Sequence, residues 1–430
     1  MKRITALILA ILLAAVMLAG CGDKIDDTPS QTGSDTVTEP AVTNGVTEPV
    51  EANPLDSIDT SVIDDNGLWY IWNQLDDDTK MNLAEFLNAV KNLDLAATLS
   101  VGFPAEDKDR FLDFAYHCTM DYTYIGTSFT APADDDGIVR TVYIPYNHEV
   151  VSYAEDGQKL TADLNAKLDE IVAGMPDGTQ WEQIKYLHDY LVLHCNYGEE
   201  GKLPFTAYGA LVEGWATCQG YADAMHLLLS RAGFETCYTI GRGDNINYTH
   251  KWNYVKLDDG KWYIVDPTWS DPTGKTDPNY ICYDYFMISD EVILQDHAMK
   301  FDNAYYEQRD GKPYYYVIPT ADSMELSYHN VMGYYCTTYE EAYAATEKQL
   351  ELCAKNGTNY IYLRMSDETV YTEVNENLFM KAHDGEIQTL MKEANEKYGS
   401  DFNDGSWERY SAHKDGEGPL TIIITLKHKQ

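Results

Sequence analysis

Residues 250–269 read HKWNYVKLDDGKWYIVDPTW. Two runs rich in aromatic and β-branched residues flank Asp258-Asp259-Gly260, the signature of a β-hairpin. The length of its turn decides where two titratable side chains point. A two-residue turn, Asp259-Gly260, pairs Asp258 with Lys261 and sets His250 opposite Trp269 and Asp266 opposite Asn253. His250 and Asp266 then lie on opposite faces, because faces alternate residue by residue. A three-residue turn, with Gly260 in the left-handed conformation such turns prefer, pairs Leu257 with Lys261. Asp266 then opposes Trp252, and His250 stands diagonally beside it on the same face, within hydrogen-bond reach.

Upstream, residues 214–225 read GWATCQGYADAM. Thr217–Gly233 has a polar first turn followed by Ala222, Met225, Leu228, Leu229 and Ala232 at helical spacing. Cys218 therefore sits at a helix start, where unpaired amides and the helix dipole favour an anion and could hold an oxyanion. Gly214 and Gly220 bracket this turn and permit close backbone approach. A thiolate nucleophile needs a base, and the base an orienting acceptor. His250 and Asp266 supply both types downstream. FETCYTIG adds a further strand, and a helix followed by antiparallel strands reads as α+β.

YGALVEGWATCQGYADAMHLLLSRAGFETCYTIG, followed by HKWNYVKLDDGKWYIVDPTWSDP, resembles the core of the bacterial transglutaminase-like superfamily. The carriers of the resemblance are a Cys-Gln-Gly-Tyr-Ala helix start, a His-x-Trp-Asn strand and a Trp-Tyr-x-x-Asp-x-Thr-Trp strand, in order. KYLHDYLVLHCNYG before them and YDYFMISDEVILQDH after them resemble the family's flanks, so that the match covers roughly residues 180–300. The resemblance implies a papain-like core, a Cys-bearing helix packed on an antiparallel sheet that carries His and Asp. It implies Cys218 as nucleophile, His250 as general base and acid, Asp266 as orienter, and no cofactor. It leaves the reaction open. Transfer to an amine and hydrolysis share an acyl-thioester at the cysteine, and some members have lost activity.

Further candidates surround this set. Tyr197 could add an oxyanion donor, and Gln219, Trp215 and Trp252 could line the oxyanion site or a substrate groove, with Trp262 and Trp269 expected mainly in the sheet. His297 is an off-motif histidine, inferior to His250 as a base. His188 and His194 point to different faces of one helix, and no H-E-x-x-H or C-x-x-C spacing appears, so no metal site is expected. Setting aside Cys21 and Cys218, six cysteines remain, several on apolar faces where a free thiol packs as a small hydrophobe, and no obligatory disulfide is expected.

The rest of the chain reads outward from the core. MKRITALILAILLAAVMLAGC has a basic start, an apolar run and small residues before Cys21, a signal-peptide pattern whose LAGC resembles a lipobox. The expected organisation is a lipoprotein signal over 1–21 ending at a lipidated Cys21, and a disordered acidic tether over 22–66. Then follow an N-terminal α+β region over 67–175, the catalytic core over 176–319 and a small C-terminal α/β domain over 320–430. The tether has no aromatic residue and too little apolar surface to order itself. TTYEEAYAATEKQLELCAKNG carries a Thr338/Glu341 capping box and a Gly357 stop, marking a helix of the last domain.

With 70 acidic against 31 basic side chains, the net charge of −39 argues against nucleic acid as a partner. The 34 tyrosines outnumber phenylalanine and tryptophan together, suiting half-buried sheet faces and wet grooves. The expectation is a monomeric, exported enzyme, lipid-anchored on the extracytoplasmic side of the bacterial cell membrane. It acts on peptide or protein amide bonds at the cell envelope, with hydrolysis favoured over cross-linking. The alternative is an inactive binding lipoprotein that holds a peptide or glycan in the former catalytic cleft.

Overall fold

The hairpin closes with the three-residue turn. Leu257 N–H donates to Lys261 O at 3.1 Å, Gly260 N–H to Leu257 O at 2.9 Å, and Gly260 adopts φ +80°. Lys256 stands opposite Trp262 and Asn253 opposite Val265. These positions come from a computed structural model, which describes residues 54–243, 249–273, 279–299, 314–380, 385–411 and 419–429. Around the hairpin builds a five-stranded antiparallel sheet, in the spatial order Phe286–Ile288, Trp262–Val265, Thr249–Lys256, Glu235–Gly243, His297–Met299. The helix Cys218–Arg231 packs on it, and every residue from Gly220 to Leu229 is buried. The core is thus an α+β, papain-like arrangement. His250 through Val255 are all buried, so this strand lacks the polar alternation of a sheet with one wet face.

Ahead of the core lie the helices Asp77–Lys91, Lys108–His117, Ala154–Ala173 and Gln180–His194. Asp76 caps the first by accepting from Thr79 N–H at 2.8 Å, and a Thr179/Glu182 capping box starts the last. The strand expected at 141–146 runs Ile138–Tyr143, and its partner, Ala96–Pro104, has no clear pattern in the sequence. Thr98, Ser100 and Gly102 dilute the apolar signal there. The expected tether ends earlier than residue 66. Ser61–Asp65 is a helical turn whose Val62 and Ile63 are fully buried in the main core. Asn66 accepts from Asp121 N–H at 2.8 Å, and its backbone carbonyl lies 3.2 Å from His226 Nε2. Two apolar residues suffice once a preformed surface receives them. Cys21 and the signal segment lie outside the described residues. Among the described residues no helix is long and apolar enough to cross a membrane.

The C-terminal sheet runs in the order Tyr335–Cys336, Tyr360–Met365, Thr421–His428, Phe402–Ser411, the first pair parallel and the others antiparallel. Strand alternation splits its residues between two cores. Ile361, Leu363, Ile422 and Ile424 join a local cluster with the helices Tyr339–Asn356 and Glu386–Tyr398, while Tyr362 and Ile423 join the main core. The seam also has a polar centre. Buried Asp284 accepts from Thr421 Oγ1 at 2.6 Å, and Arg364 Nη1 lies 3.9 Å from the carboxylate and donates to Asp284 O at 3.3 Å. Arg364→Met leaves that carboxylate buried without its cation. The expected loss is about 3 kcal/mol, read from the urea midpoint.

Candidate active site

Local geometry delivers Cys218 to the front of the sheet. Gly214 turns the chain at φ +77°, and Trp215–Ala216 then pairs in parallel with Asn196–Tyr197. The helix starts immediately after. Thr217 does not cap it, because its hydroxyl faces Pro204 O at 3.5 Å, so the helix N-terminus has no side-chain cap. Gly220 is required by packing: a Cβ there would stand 2.7 Å from Thr206 O and 2.9 Å from Pro204 O. Gly220→Ala must push that loop off the helix start. The expected cost is about 1–3 kcal/mol in chemical denaturation. All seven described cysteines are free, and Cys218 alone among them is not buried. Its thiol faces Thr249 O at 3.7 Å.

His250 follows Thr249 and is a hydrogen-bonding neighbour of that thiol. Its Nε2 lies 2.6 Å from Asp266 Oδ2, which leaves Nδ1 as the nitrogen for Cys218. The ring stacks on Trp252 at 5.7 Å. Asp266, fully buried, receives Thr268 N–H at 3.0 Å and Trp269 N–H at 3.2 Å on Oδ1. The DPTW sequence therefore shapes a turn and orients an imidazole with the same carboxylate. Burial pulls the His250 imidazole down, but the Asp266 charge and hydrogen bond outweigh it and hold the ring at about 10. Burial likewise opposes the Asp266 carboxylate, yet the His250 and His297 rings hold it well below the usual carboxylate range.

Two buried anchors fix the strand to the helix. Asn253 Nδ2 donates to Ala222 O at 3.0 Å. Lys251, two residues away on the same face, pairs with Asp223 and lies 4.0 Å over the Tyr238 ring. The sequence signal for both was available: polar residues inside an otherwise apolar run, where a buried polar group must find a partner.

Residues 165–267 match the family model of the transglutaminase-like superfamily. The chain carries a transglutaminase-like domain. Solved structures similar to it include one of a TGase, at 14% identity over 42% of this chain and 52% of that one, TM-score 0.25. A proposed cysteine protease from Cytophaga hutchinsonii follows at 12% identity over 40% and 65%, TM-score 0.23. Menin, whose structure shows the binding site for Mixed Lineage Leukemia (MLL) protein, matches at 14% over 56% and 53%, TM-score 0.23. The chain thus spans 52–65% of the length of these proteins. No curated protein matches the chain.

Within the transglutaminase-like domain the remaining candidates separate. Tyr197 is 43% exposed and close enough to Cys218 and Asp266 for their charges to raise its hydroxyl, after burial as the main cause. Trp215 is half-buried on the adjoining strand. Gln219 donates from Nε2 to the Tyr116 hydroxyl at 3.1 Å, and the two side chains line one surface cavity. Trp252 departs from the expectation of a groove residue. It has no exposed surface and backs the His250 ring, because the strand that carries it is covered on both faces. His188 is buried, with Nδ1 3.0 Å from Asp189, and His194 stacks on Tyr190 at 4.0 Å.

His297, set aside in the sequence as an inferior base, lies against the triad. Its Nε2 is 3.4 Å from Asp266 Oδ2. His250, Asp266 and His297 are the one group of potential metal-ligating atoms among the described residues, all within 4.8 Å of one another. The 2.6 Å contact between His250 and Asp266 is too short for two ligands of one tetrahedral ion, whose donors stand about 3.3 Å apart at Zn–N distances near 2 Å. We read the group as linked by protons.

Proposed function

We propose that this protein is a surface-anchored cysteine enzyme that cleaves peptide or protein amide bonds through an acyl-thioester on Cys218, with water as the favoured acceptor. The observation that carries the reading is an accessible thiol at an uncapped helix start beside an imidazole held by a buried carboxylate. In this mechanism His250 Nδ1 takes the thiol proton, and the sulfur attacks the amide carbonyl. The first amides of the helix, with the Tyr197 hydroxyl beside them, hold the oxyanion. His250 then returns the proton to the leaving amine, and water or an amine resolves the thioester. Asp266 fixes the ring tautomer throughout.

Under this reading the leader exports the chain and acyl groups on Cys21 hold it to the membrane. Substrates are then peptides or proteins of the cell envelope. Mass spectrometry of such peptides, incubated with wild type or Cys218→Ala and with or without a primary amine, tests the reaction. Cleavage or deamidation by wild type alone supports hydrolysis, and added amine mass supports transfer. No change specific to wild type removes the enzyme reading in favour of a binding lipoprotein.

A further inference from the structure

The geometry points to His297 as an imidazolium that positions Asp266 and, through its charge, loosens that carboxylate's hold on the His250 proton. The inference rests on the enzyme reading for its purpose, though not for its test. His297 has a fully buried side chain. Its Nδ1 lies 2.5 Å from Asp296 Oδ1, and its buried Nε2, which makes no hydrogen bond among the described residues, lies at ion-pair distance, 3.4 Å, from Asp266 Oδ2. A neutral imidazole would have to aim a lone pair at one of those carboxylates. Neither carboxylate is arranged to donate. Asp266 already receives His250 Nε2 and two backbone N–H groups, and Asp296 Oδ2 receives the Tyr285 hydroxyl at 2.6 Å. Both ring nitrogens of His297 therefore carry protons.

The surroundings suit a cation. Trp269 lies 4.3 Å from the His297 ring, Trp252 5.2 Å and Tyr285 5.7 Å, three aromatic rings around one charge. Glycines make the enclosure possible. His297 pairs with Gly243 across the sheet edge, where a Cβ would meet Trp269 at 2.7 Å, and a Cβ on Gly241 would meet Trp252 at 2.5 Å. Burial pulls the His297 ring down, but the Asp266 and Asp296 contacts outweigh it and the ring is held above its ordinary value.

The charged and titratable groups around the pair are Asp266, Asp296, His250 and Cys218, with Tyr285 on Asp296, Asp284 within electrostatic reach of Asp296, and Tyr197 of Asp266. A buried carboxylate alone would hold the His250 proton too firmly for transfer to a leaving amine. A general acid works best when its affinity for the proton lies near the working pH. His297 offsets part of that carboxylate's charge. It touches no reacting atom and is a positioning residue.

The test is His297→Gln in the full chain. Cys218 is alkylated across the pH range with iodoacetate, an anion drawn to the thiolate–imidazolium pair, whose reaction falls as His250 loses its proton. With ring centres 5.3 Å apart, loss of one charge should move the basic limb up by about two pH units at an effective dielectric near 20. An unmoved or lowered limb overturns the proposal, since mere loss of packing would not raise it. A second measurement needs no variant: nitrogen NMR of the His297 ring in wild type, assigned through its own backbone. Two protonated nitrogens near neutral pH support the imidazolium, and one unprotonated nitrogen overturns it. If wild-type Cys218 reacts no faster than a peptide thiol, the enzyme reading fails while the ring measurement still decides this one.

Discussion

Cys218→Ala is expected to lower amide turnover by at least four orders of magnitude while leaving the urea midpoint within about 1 kcal/mol of wild type. The reason is positional. The sulfur occupies the only described cysteine site that is not buried, so its loss removes the nucleophile without opening a cavity in the core. The other six thiols cannot substitute. Cys118 and Cys195, for example, are buried, and desolvation pushes both thiols up to about 12. Residual cleavage at wild-type rates, or a large drop in stability, would remove Cys218 from the mechanism. Matching steady-state rates with intact-protein mass spectra adds a second readout, because the acyl-enzyme mass must vanish with the sulfur.

Where Cys218→Ala affects activity alone, Asp266→Ala is expected to damage activity and stability together. It leaves the His250 and His297 rings, 5.3 Å apart and buried, with no charge between them. Breaking a buried charge network by removing one partner costs about 3–5 kcal/mol, and losing the carboxylate of such a triad costs about four orders of magnitude in turnover. The stability difference should depend on pH in a definite direction. The His250 ring is raised in the folded state from 6.5 to about 10. Its contribution is therefore fully present below about pH 6.5 and is lost as pH rises through about 10. The Asp266 carboxylate is depressed, so its contribution is present above the ordinary carboxylate range and is lost only in strong acid. Urea midpoints of wild type and variant should be furthest apart between the ordinary carboxylate range and about pH 6.5 and converge as pH climbs toward 10. A gap that widens above about pH 8 would contradict the assignment of the charged His250–Asp266 pair.

The His250 and Asp266 pairing was legible because a hairpin reduces geometry to counting. Once Gly260 takes the left-handed turn, the face of every residue from Thr249 to Val265 follows. The helix start at Cys218 was legible from its glycines and apolar spacing, since these are local properties of the chain. Trp252 misled, because an aromatic residue beside a catalytic motif reads the same whether it walls a groove or backs a ring. The strand's burial on both faces decides between the two, and burial depends on elements far away in sequence. The tether's last residues misled for the same reason: Val62 and Ile63 bury themselves only because a distant core offers them a surface.

What the sequence by itself determined is the set of parts whose placement depends on near neighbours: the cysteine helix, the hairpin, the shared face of histidine and aspartate, and the transglutaminase-like class. Tertiary structure alone decided how that carboxylate is shared. His297 stands 31 residues beyond Asp266, at the far edge of the sheet in strand order, and no periodicity connects the two. The twist and closure of five strands, with glycines where two indoles press in, bring it to 3.4 Å from Oδ2. Register along one hairpin is set by hydrogen bonds a few residues apart. Approach across a whole sheet is set by packing, which a linear pattern does not encode.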